Sequence, residues 1–140
     1  MNPLIKRLCW LLVLLFSPFS MAAVTVTDGY VAQKSADQSN GAAYMVIHNQ
    51  GSSDITLVMV NSPVATKSNI YQFIERNGKK RKRLLNKGLL IKANSSVTLA
   101  PETLVIALMG SNQALNPGDM VKIRLNFDNN ELLELDLPVK

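Results

Sequence analysis

Cysteine, histidine and tryptophan each occur only once in the 140 residues of this chain. The cysteine and the tryptophan, Cys9 and Trp10, both lie in a hydrophobic N-terminal segment, so the sequence after that segment has no thiol. Disulfide bonds, thiolate metal ligands and Cys/His catalysis are therefore excluded for the main part of the chain. A Ser-His-Asp triad would have to use His48, and the sequence has no G-x-S-x-G motif that would place the serine.

Nucleotide-binding motifs and helical patterns are also missing. The sequence contains neither a P-loop nor a G-x-G-x-x-G motif. Its ten acidic residues mostly flank turns or alternate with apolar residues, which is poor support for a catalytic carboxylate pair. No segment keeps the helical period of about 3.6 residues over three turns. We therefore predict an all-β protein that is not an enzyme.

The N-terminal segment has the plan of a secretory signal peptide. Lys6 and Arg7 form a short basic region, and the apolar run Leu8–Phe19 follows it. Ser20-Met21-Ala22 then offers a small-x-small cleavage site. These three features, in this order, predict a signal peptide at residues 1–22.

Cleavage after Ala22 or Ala23 would leave one domain at residues 23–140 and no transmembrane segment. An uncleaved N-terminal anchor is the alternative, but the apolar run is shorter than the ~20 residues that span a bilayer as a helix. Cys9 stands at the start of this run, whereas a lipid-accepting cysteine would have to stand at its end. We predict export to the periplasm of a Gram-negative bacterium.

The remaining sequence consists of short segments with the two-residue period of β-strands. The first of them is predicted over Val24–Thr27. Near the C-terminus, residues 121–127 and 133–137 alternate strictly around a polar turn, which predicts a hairpin. The outward-facing charged residues of that hairpin are Lys122 and Arg124 on its first strand and Glu134 and Asp136 on its second. About eight or nine such strands predict an antiparallel β-sandwich or barrel with Greek-key character.

A second hairpin is predicted over Asn69–Leu85. Asn77-Gly78 is a strong signal for a two-residue type I′ turn, because that turn needs positive φ at both central positions. Before the turn, Tyr71 and Phe73 share one face of the strand. After the turn come five consecutive basic residues, which are Lys79, Lys80, Arg81, Lys82 and Arg83. The hairpin therefore presents an aromatic face on one arm and a basic run on the other.

The basic run has two interpretations. As a solvated edge strand, it would prevent the sheet from pairing with other chains. As a binding surface, it would contact an acidic partner protein, either free in the periplasm or bound to the membrane, or the anionic membrane surface itself. We expect no nucleic-acid partner, because the chain is predicted to be exported and no aromatic residue interrupts the run.

Several short phrases occur in an order that resembles one family. They are GAAYMVIHNQG at 41–51, SPVA at 62–65, the Asn77-Gly78 turn, ALMG at 107–110 and LNPGDMV at 115–121. This order and spacing resembles that of the periplasmic copper chaperones called PCu(A)C, over nearly all of residues 23–140. The resemblance implies a cupredoxin-like β-sandwich or barrel and the handling of Cu(I) for cytochrome oxidase assembly.

The same resemblance places the family's copper ligands at positions where this chain has no copper donor. The family's two histidines and two methionines correspond to Tyr71, Lys82, Val105 and Ala107, and a further methionine position corresponds to Phe73. Cu(I) prefers thioether and imidazole donors, and the ammonium group of Lys82 would repel it. The four positions other than Lys82 are instead predicted to form a small apolar cluster that attaches the hairpin to Thr103–Met109.

Two hypotheses follow for the function. In the first, the protein is a diverged copper chaperone with a weak or relocated Cu(I) site, for which Met45, Met109 and His48 are the remaining candidate ligands. In the second, it is a non-metal interaction module whose residues Lys79–Arg83 bind an acidic partner. No cofactor is assigned from the residues themselves, and copper(I) enters only through the resemblance.

Overall fold

The computed structural model describes residues 23–34 and 39–140, which form ten strands joined by turns. The strands are β1 (Val24–Gln33), β2 (Gly41–Asn49), β3 (Ile55–Asn61), β4 (Ala65–Arg76), β5 (Lys79–Leu84), β6 (Leu89–Ile91), β7 (Ser95–Leu99), β8 (Leu104–Ser111), β9 (Met120–Phe127) and β10 (Leu132–Pro138). None of these residues forms a helix with the length and apolar character needed to cross a bilayer. The predicted signal peptide at residues 1–22 lies outside the described residues.

The strands form two antiparallel sheets. The larger sheet has six strands, in the order β1-β2-β8-β4-β5, with β7 paired to β2 as well. Because β1 occupies one edge of β2, β7 and β8 share the other edge, β8 along residues 41–43 and β7 along residues 45–49. The smaller sheet has four strands, in the order β10-β9-β3-β6. The predicted β-sandwich is confirmed, with ten strands in place of the expected eight or nine.

The core lies between the two sheets. Its fully buried side chains include Met45, Ile47, Ile106 and Leu108 from the larger sheet and Leu57, Ile91, Ile123 and Leu125 from the smaller one. Successive side chains of a strand point to opposite faces, so these residues fix which residues between them face outward. On β8, for example, burial of Ile106 in the core puts Val105 and Ala107 on the outer face of the larger sheet.

Two strands differ from the prediction. β1 extends to Gln33, well beyond the strand predicted over Val24–Thr27, because the pairing with β2 shifts between Thr27 and Tyr30 and then continues. Asp28 absorbs the shift with a φ of 57°, and this irregularity is what breaks the two-residue pattern in the sequence. β6 has only three residues and is stabilised by pairing with the distant β3, so it has too few residues to show a strand pattern.

The C-terminal hairpin of β9 and β10 has the predicted charge pairing. Arg124 lies opposite Glu134, and its Nε donates a hydrogen bond of 2.7 Å to the carboxylate. Lys122 lies opposite Asp136, with 3.4 Å between the charged atoms. The hydrogen bond from Arg124 and the charge of Lys122 lower the pKa of Glu134. Exposed pairs of this kind contribute little to stability, but they favour this register over its neighbours.

β4 and β5 form the predicted aromatic and basic hairpin. Asn77 and Gly78 have φ values of 55° and 74°, as a type I′ turn requires. The pairing begins with Arg76 opposite Lys79 and ends with Tyr71 opposite Leu84. The other edge of β4 pairs with β8. The hairpin is therefore joined to the sheet through β4, and β5 is an edge strand.

We expect Gly88→Ala to destabilise the fold more than Gly118→Ala. Both glycines have φ in the left-handed region, +90° and +93°, so each alanine carries about 1–2 kcal/mol of backbone strain. A Cβ at Gly88 would lie 2.4 Å from the carbonyl oxygen of Leu57, whereas a Cβ at Gly118 would meet nothing within 4 Å. Separating β6 from β3 to relieve that contact adds about 1–3 kcal/mol. Urea unfolding of both variants measures the difference, and equal losses would show that the contact at Leu57 has no effect.

Candidate binding site on the outer face of the larger sheet

The outer face of the larger sheet carries an apolar cluster separate from the core. Its buried members are Ala42, Tyr44 and Val105, and its half-buried members are Tyr30, Ala32, Tyr71 and Phe73. The outer face of a sandwich normally carries polar residues. An aromatic surface in this position is typical of a binding site.

The strand pairing brings the positions of the family's copper ligands to this face. Tyr71 lies opposite Val105 across β4 and β8, and Phe73 lies opposite Lys82 across β4 and β5. The predicted apolar cluster is confirmed for Tyr71, Phe73 and Val105. Ala107 is buried on the same face, two residues beyond Val105. The hairpin is thus attached to β8 by backbone pairing and by this cluster.

An open pocket of about 630 Å³ lies at these positions. The pocket is lined by Lys34, Ala42, Tyr44, Phe73, Lys80, Lys82, Pro101, Glu102, Val105 and Ala107. Ala42 and Ala107 lie directly opposite each other across β2 and β8. Their short side chains leave a depression between the larger rings of Tyr44 and Phe73. The pocket therefore exists because small residues occupy the floor of an aromatic surface.

Positive charge surrounds the pocket. Lys82 Nζ lies 4.2 Å from the ring centroid of Tyr71, and Lys34 Nζ lies 5.6 Å from that of Tyr44. Each contact is a cation–π interaction, worth about 0.5–1 kcal/mol at an exposed site. Neither of these lysines forms an ion pair with any residue in the described ranges. Both ammonium groups are therefore available to an anionic ligand.

The third lysine of the pocket, Lys80, is neutralised by Glu102, the one acid among the described residues that line it. Lys80 Nζ donates a hydrogen bond of 2.8 Å to a carboxylate oxygen of Glu102. This hydrogen bond and the lysine charge lower the pKa of Glu102. The pair is therefore intact above the ordinary pKa of a glutamate and is lost only as the pH falls through the lowered value.

The residues at the copper-ligand positions do not fit Cu(I). Tyr71, Lys82, Val105 and Ala107 supply a phenol, an ammonium group and two aliphatic side chains, while Cu(I) is a soft ion that prefers sulfur and imidazole. The described part of the chain also has no group of three or more His, Cys, Asp or Glu side chains that could hold a metal ion. The ammonium groups of Lys34 and Lys82 would repel any cation that entered the pocket.

The structure does not bring the three remaining candidate ligands together. Met45 is buried in the core between the sheets, whereas His48 lies on the opposite face of β2. Met109 lies beside the Gly41 end of β2, and His48 is seven residues farther along, or about 23 Å at the ordinary rise of a strand. The two ring nitrogens of His48 are hydrogen-bonded to the hydroxyls of Thr27 and Ser96, at 2.8 and 2.6 Å.

The basic run is divided between two faces of β5. Lys80 and Lys82 lie opposite Glu75 and Phe73 and belong to the pocket face. Because side chains alternate along a strand, Lys79, Arg81 and Arg83 project from the other face. All six residues of β5 are exposed. The five charges of the run therefore form two separate surfaces.

Sequence reasoning missed one side of the pocket. Ala42 and Tyr44 lie on β2, and Lys34 lies in the segment that joins β1 to β2. They reach the hairpin only because β2 pairs with β8. Ala42 and Tyr44 are two residues apart, so they share one face of a strand. The pairing of β2 with β8 could not be predicted in this way, because local pattern carries no information about contacts between such distant segments.

The two packed sheets and the site at the β4–β5 hairpin define a cupredoxin-like β-sandwich of the PCuAC class. The copper-bound PCuAC domain from PmoF2 is similar, with a TM-score of 0.70, 14% identity and coverage of 89% of this chain and 98% of that one. The apo form of DR1885 from Deinococcus radiodurans has a TM-score of 0.63 and 26% identity, with coverage of 89% and 87%.

At the level of sequence, residues 24–139 match the family described as "Putative lipoprotein LpqE-like". The chain belongs to this LpqE-like family. It is also 28% identical over 117 residues to "Putative lipoprotein Lxx21020" from Leifsonia xyli subsp. xyli, and the match covers 84% of this chain and 69% of the relative. The resemblance to PCu(A)C proteins predicted from the sequence is therefore confirmed in the fold and in the family.

Proposed function

We propose that this protein is an exported periplasmic binding module that keeps the copper-chaperone fold, carries no Cu(I) at the family's ligand positions, and binds an acidic partner through β5. The observation that carries the proposal is an exposed edge strand that begins with five consecutive basic residues. Only Lys80 of these five forms an ion pair with a carboxylate in the described ranges. Of the other four, Lys82 lies on the pocket face, whereas Lys79, Arg81 and Arg83 project from the opposite face. Arg83 also donates a hydrogen bond of 2.7 Å to Gln72 Oε1 and keeps its charge.

The edge position of β5 suggests how the partner binds. β5 pairs with β4 and with no other strand of the described residues, so its second edge has free backbone donors and acceptors. An extended segment of another protein can add to such an edge as a further strand. The lysines oppose pairing with a second copy of β5, whereas acidic side chains on the added strand would face Lys79, Arg81 and Arg83.

Two observations favour a partner in the cell envelope. Residues 1–22 have the plan of a signal peptide, and the relative in Leifsonia xyli and the LpqE-like family both carry the description lipoprotein. A partner that is itself exported or membrane-bound fits this location. Nothing in the pocket or on β5 requires the protein to be an enzyme.

Reversing three charges on one face of β5 should abolish capture of an acidic strand. The probe is a fluorescent, end-capped peptide of alternating Glu and Val residues. Its binding to the domain at residues 23–140 is followed by fluorescence anisotropy. Lys79→Glu/Arg81→Glu/Arg83→Glu is expected to weaken binding by at least about tenfold, because each rim charge contributes about 0.2–1 kcal/mol and is inverted rather than only removed. Added salt should weaken wild-type binding as well.

The matched control is Lys67→Glu/Lys87→Glu/Lys92→Glu, which makes the same change in net charge at three exposed lysines outside β5. It should retain most of the wild-type affinity. Slower amide hydrogen exchange along β5 in the complex would report strand addition directly. Equal losses in both variants, or no change in exchange along β5, would show that the binding is non-specific charge attraction and would contradict the proposal.

A further inference from the structure

We propose that the pocket on the outer face of the larger sheet binds a small amphiphilic anion, namely a carboxylate or phosphate joined to an aromatic or acyl body. This inference goes beyond the acidic partner of β5, because it concerns the opposite face of that strand. The pocket volume of about 630 Å³ lies within the ordinary range of about 300–1,000 Å³ for small-molecule sites.

The shape and lining of the pocket specify the apolar part of the ligand. The floor is made by Ala42, Val105 and Ala107, which are almost fully buried and have aliphatic side chains. The rings of Tyr44 and Phe73 stand beside this floor. A flat aromatic ring or a short acyl chain would fill the depression and remove these carbons from water, at about 25 cal/mol for each Å² buried.

The charges around the pocket specify the polar part. Lys34 and Lys82 hold their ammonium groups over the rings of Tyr44 and Tyr71. Contact with a ring leaves most of an ammonium group free to bind an anion, since the ring offers only a weak, diffuse partner. The carboxylate of Glu102 is already held by Lys80. Two cations with no carboxylate partner within residues 23–34 and 39–140 lie beside an apolar floor. They are complementary to one anion with an apolar body, and they disfavour a neutral or cationic ligand.

Three of the four probes that test the proposal share a naphthalene body and differ in charge, and the fourth has an acyl chain. Naphthalene-2-carboxylate is compared with the neutral 2-naphthylmethanol and with the cationic 2-naphthylmethylamine, and decanoate represents the acyl source. Binding to the domain at residues 23–140 is measured from the NMR chemical shifts of alanine methyl groups. The methyls of Ala42 and Ala107 report the pocket, while those of Ala65 and Ala93 lie outside it.

The expected result is saturable shifts at Ala42 and Ala107 for the carboxylate, with an affinity at least about threefold above that of the neutral alcohol. Lys34→Gln/Lys82→Gln should remove this preference for the anion. Lys87→Gln/Lys92→Gln, which removes the same charge from exposed lysines elsewhere, should leave it unchanged. Ala107→Ile should block both aromatic and acyl probes by filling the floor of the pocket, and if this variant does not fold, the lysine variants still test the proposal.

The outcomes separate the two sources of ligand. Binding of naphthalene-2-carboxylate alone assigns an aromatic anion, binding of decanoate alone assigns an acyl anion, and either result supports the site. Any of three results would overturn the proposed site. They are equal affinity for the anion and the alcohol, shifts at Ala65 and Ala93 as large as those at Ala42 and Ala107, and no saturable binding of either anion. None of these results depends on capture of the acidic peptide by the other face of β5, so the two proposals fail independently.

Discussion

Wild-type protein is expected to remove no Cu(I) from a chromogenic chelator, whereas the variant Tyr71→His/Lys82→Met/Val105→His/Ala107→Met is expected to bind one Cu(I) per chain. The variant places two imidazoles and two thioethers where the fold now carries a phenol, an ammonium group and two aliphatic side chains. Imidazole and thioether are the donors that Cu(I) prefers. The change from no detectable binding to stoichiometric binding makes this one of the two largest effects that we expect.

The strand pairing explains why four substitutions should be enough. Tyr71 and Val105 are direct partners on adjacent strands, which lie about 4.8 Å apart, so imidazoles at both positions can share an ion. Lys82 Nζ already lies 4.2 Å from the ring of Tyr71, and the thioether of a methionine at position 82 extends in the same direction. Ala107 follows Val105 on the same face and adds a donor from β8. The variant also removes one of the cations that would repel the metal.

The matched control is the two-residue variant Tyr71→His/Lys82→Met, which has donors on the hairpin but none on β8. Its Cu(I) affinity should be lower than that of the four-residue variant by more than about 100-fold, because it lacks two of the four ligands. Loss of a residue that only hydrogen-bonds to a metal ligand already weakens metal binding by ~10–100-fold. A four-residue variant that unfolds cooperatively like the wild type but binds no Cu(I) would show that the correspondence of positions is wrong. Tight binding by the wild type would show the same.

Local chemistry was enough to predict the hairpin on which this site depends. The Asn77-Gly78 turn requires a backbone conformation that few residue pairs adopt, and Tyr71 and Phe73 share one face of the arm before it. The contact of Tyr71 with Val105 could not be predicted from local sequence in the same way. It was predicted through the family resemblance, because these residues are far apart in the sequence and their pairing follows from the arrangement of the whole sheet.

The rest of the pocket could not be predicted because β2 shows no preference between its faces. Its first five residues are all buried, some in the core and others in the outer cluster. A strand buried on both faces has no alternation that would indicate which side chains share a site. Lys34 is harder still to predict, since it joins the pocket through the pairing of β1 with β2 and of β2 with β8.

The basic run shows how strand geometry changes an interpretation. Five consecutive cations suggest one continuous surface when they are read along the sequence. In a strand, neighbouring side chains point in opposite directions, so Lys80 and Lys82 lie on the pocket face while Lys79, Arg81 and Arg83 project from the other face. One short segment thus carries positive charge on two separate surfaces, each with its own neighbours.

The second large effect is expected at Asn49, where an aspartate should lower the free energy of unfolding by about 3–5 kcal/mol at neutral pH. Asn49 lies at the end of β2 and is only 1% exposed. Its Nδ2 donates hydrogen bonds to the carbonyl oxygens of Ser53 and Ile91, at 2.9 and 3.1 Å, and its Oδ1 accepts one from the backbone of Gly51 at 3.0 Å. The side chain therefore ties the larger sheet to β6 of the smaller one and fixes the turn that follows β2.

The substitution Asn49→Asp keeps the shape of the side chain and changes only its hydrogen-bonding character. The second carboxylate oxygen would face the carbonyl oxygens of Ser53 and Ile91, which can accept hydrogen bonds but cannot donate them. A buried charge next to two acceptors is strongly disfavoured. The exposed residue Asn61 on β3 provides the matched control, because Asn61→Asp makes the same chemical change in water and should alter stability by no more than about 0.5 kcal/mol.

The pH dependence distinguishes this mechanism from a general loss of packing. Burial and the two carbonyl oxygens should raise the pKa of the introduced carboxyl above its unfolded value of about 3.9. The destabilisation is then smallest below the unfolded pKa, grows as the pH rises towards the raised folded value, and is complete above it. Urea unfolding of Asn49→Asp, Asn61→Asp and wild type at neutral and acidic pH measures the difference at each pH. A loss at Asn49→Asp that is the same at both pH values would mean that shape, and not the charge beside Ser53 and Ile91, causes the destabilisation.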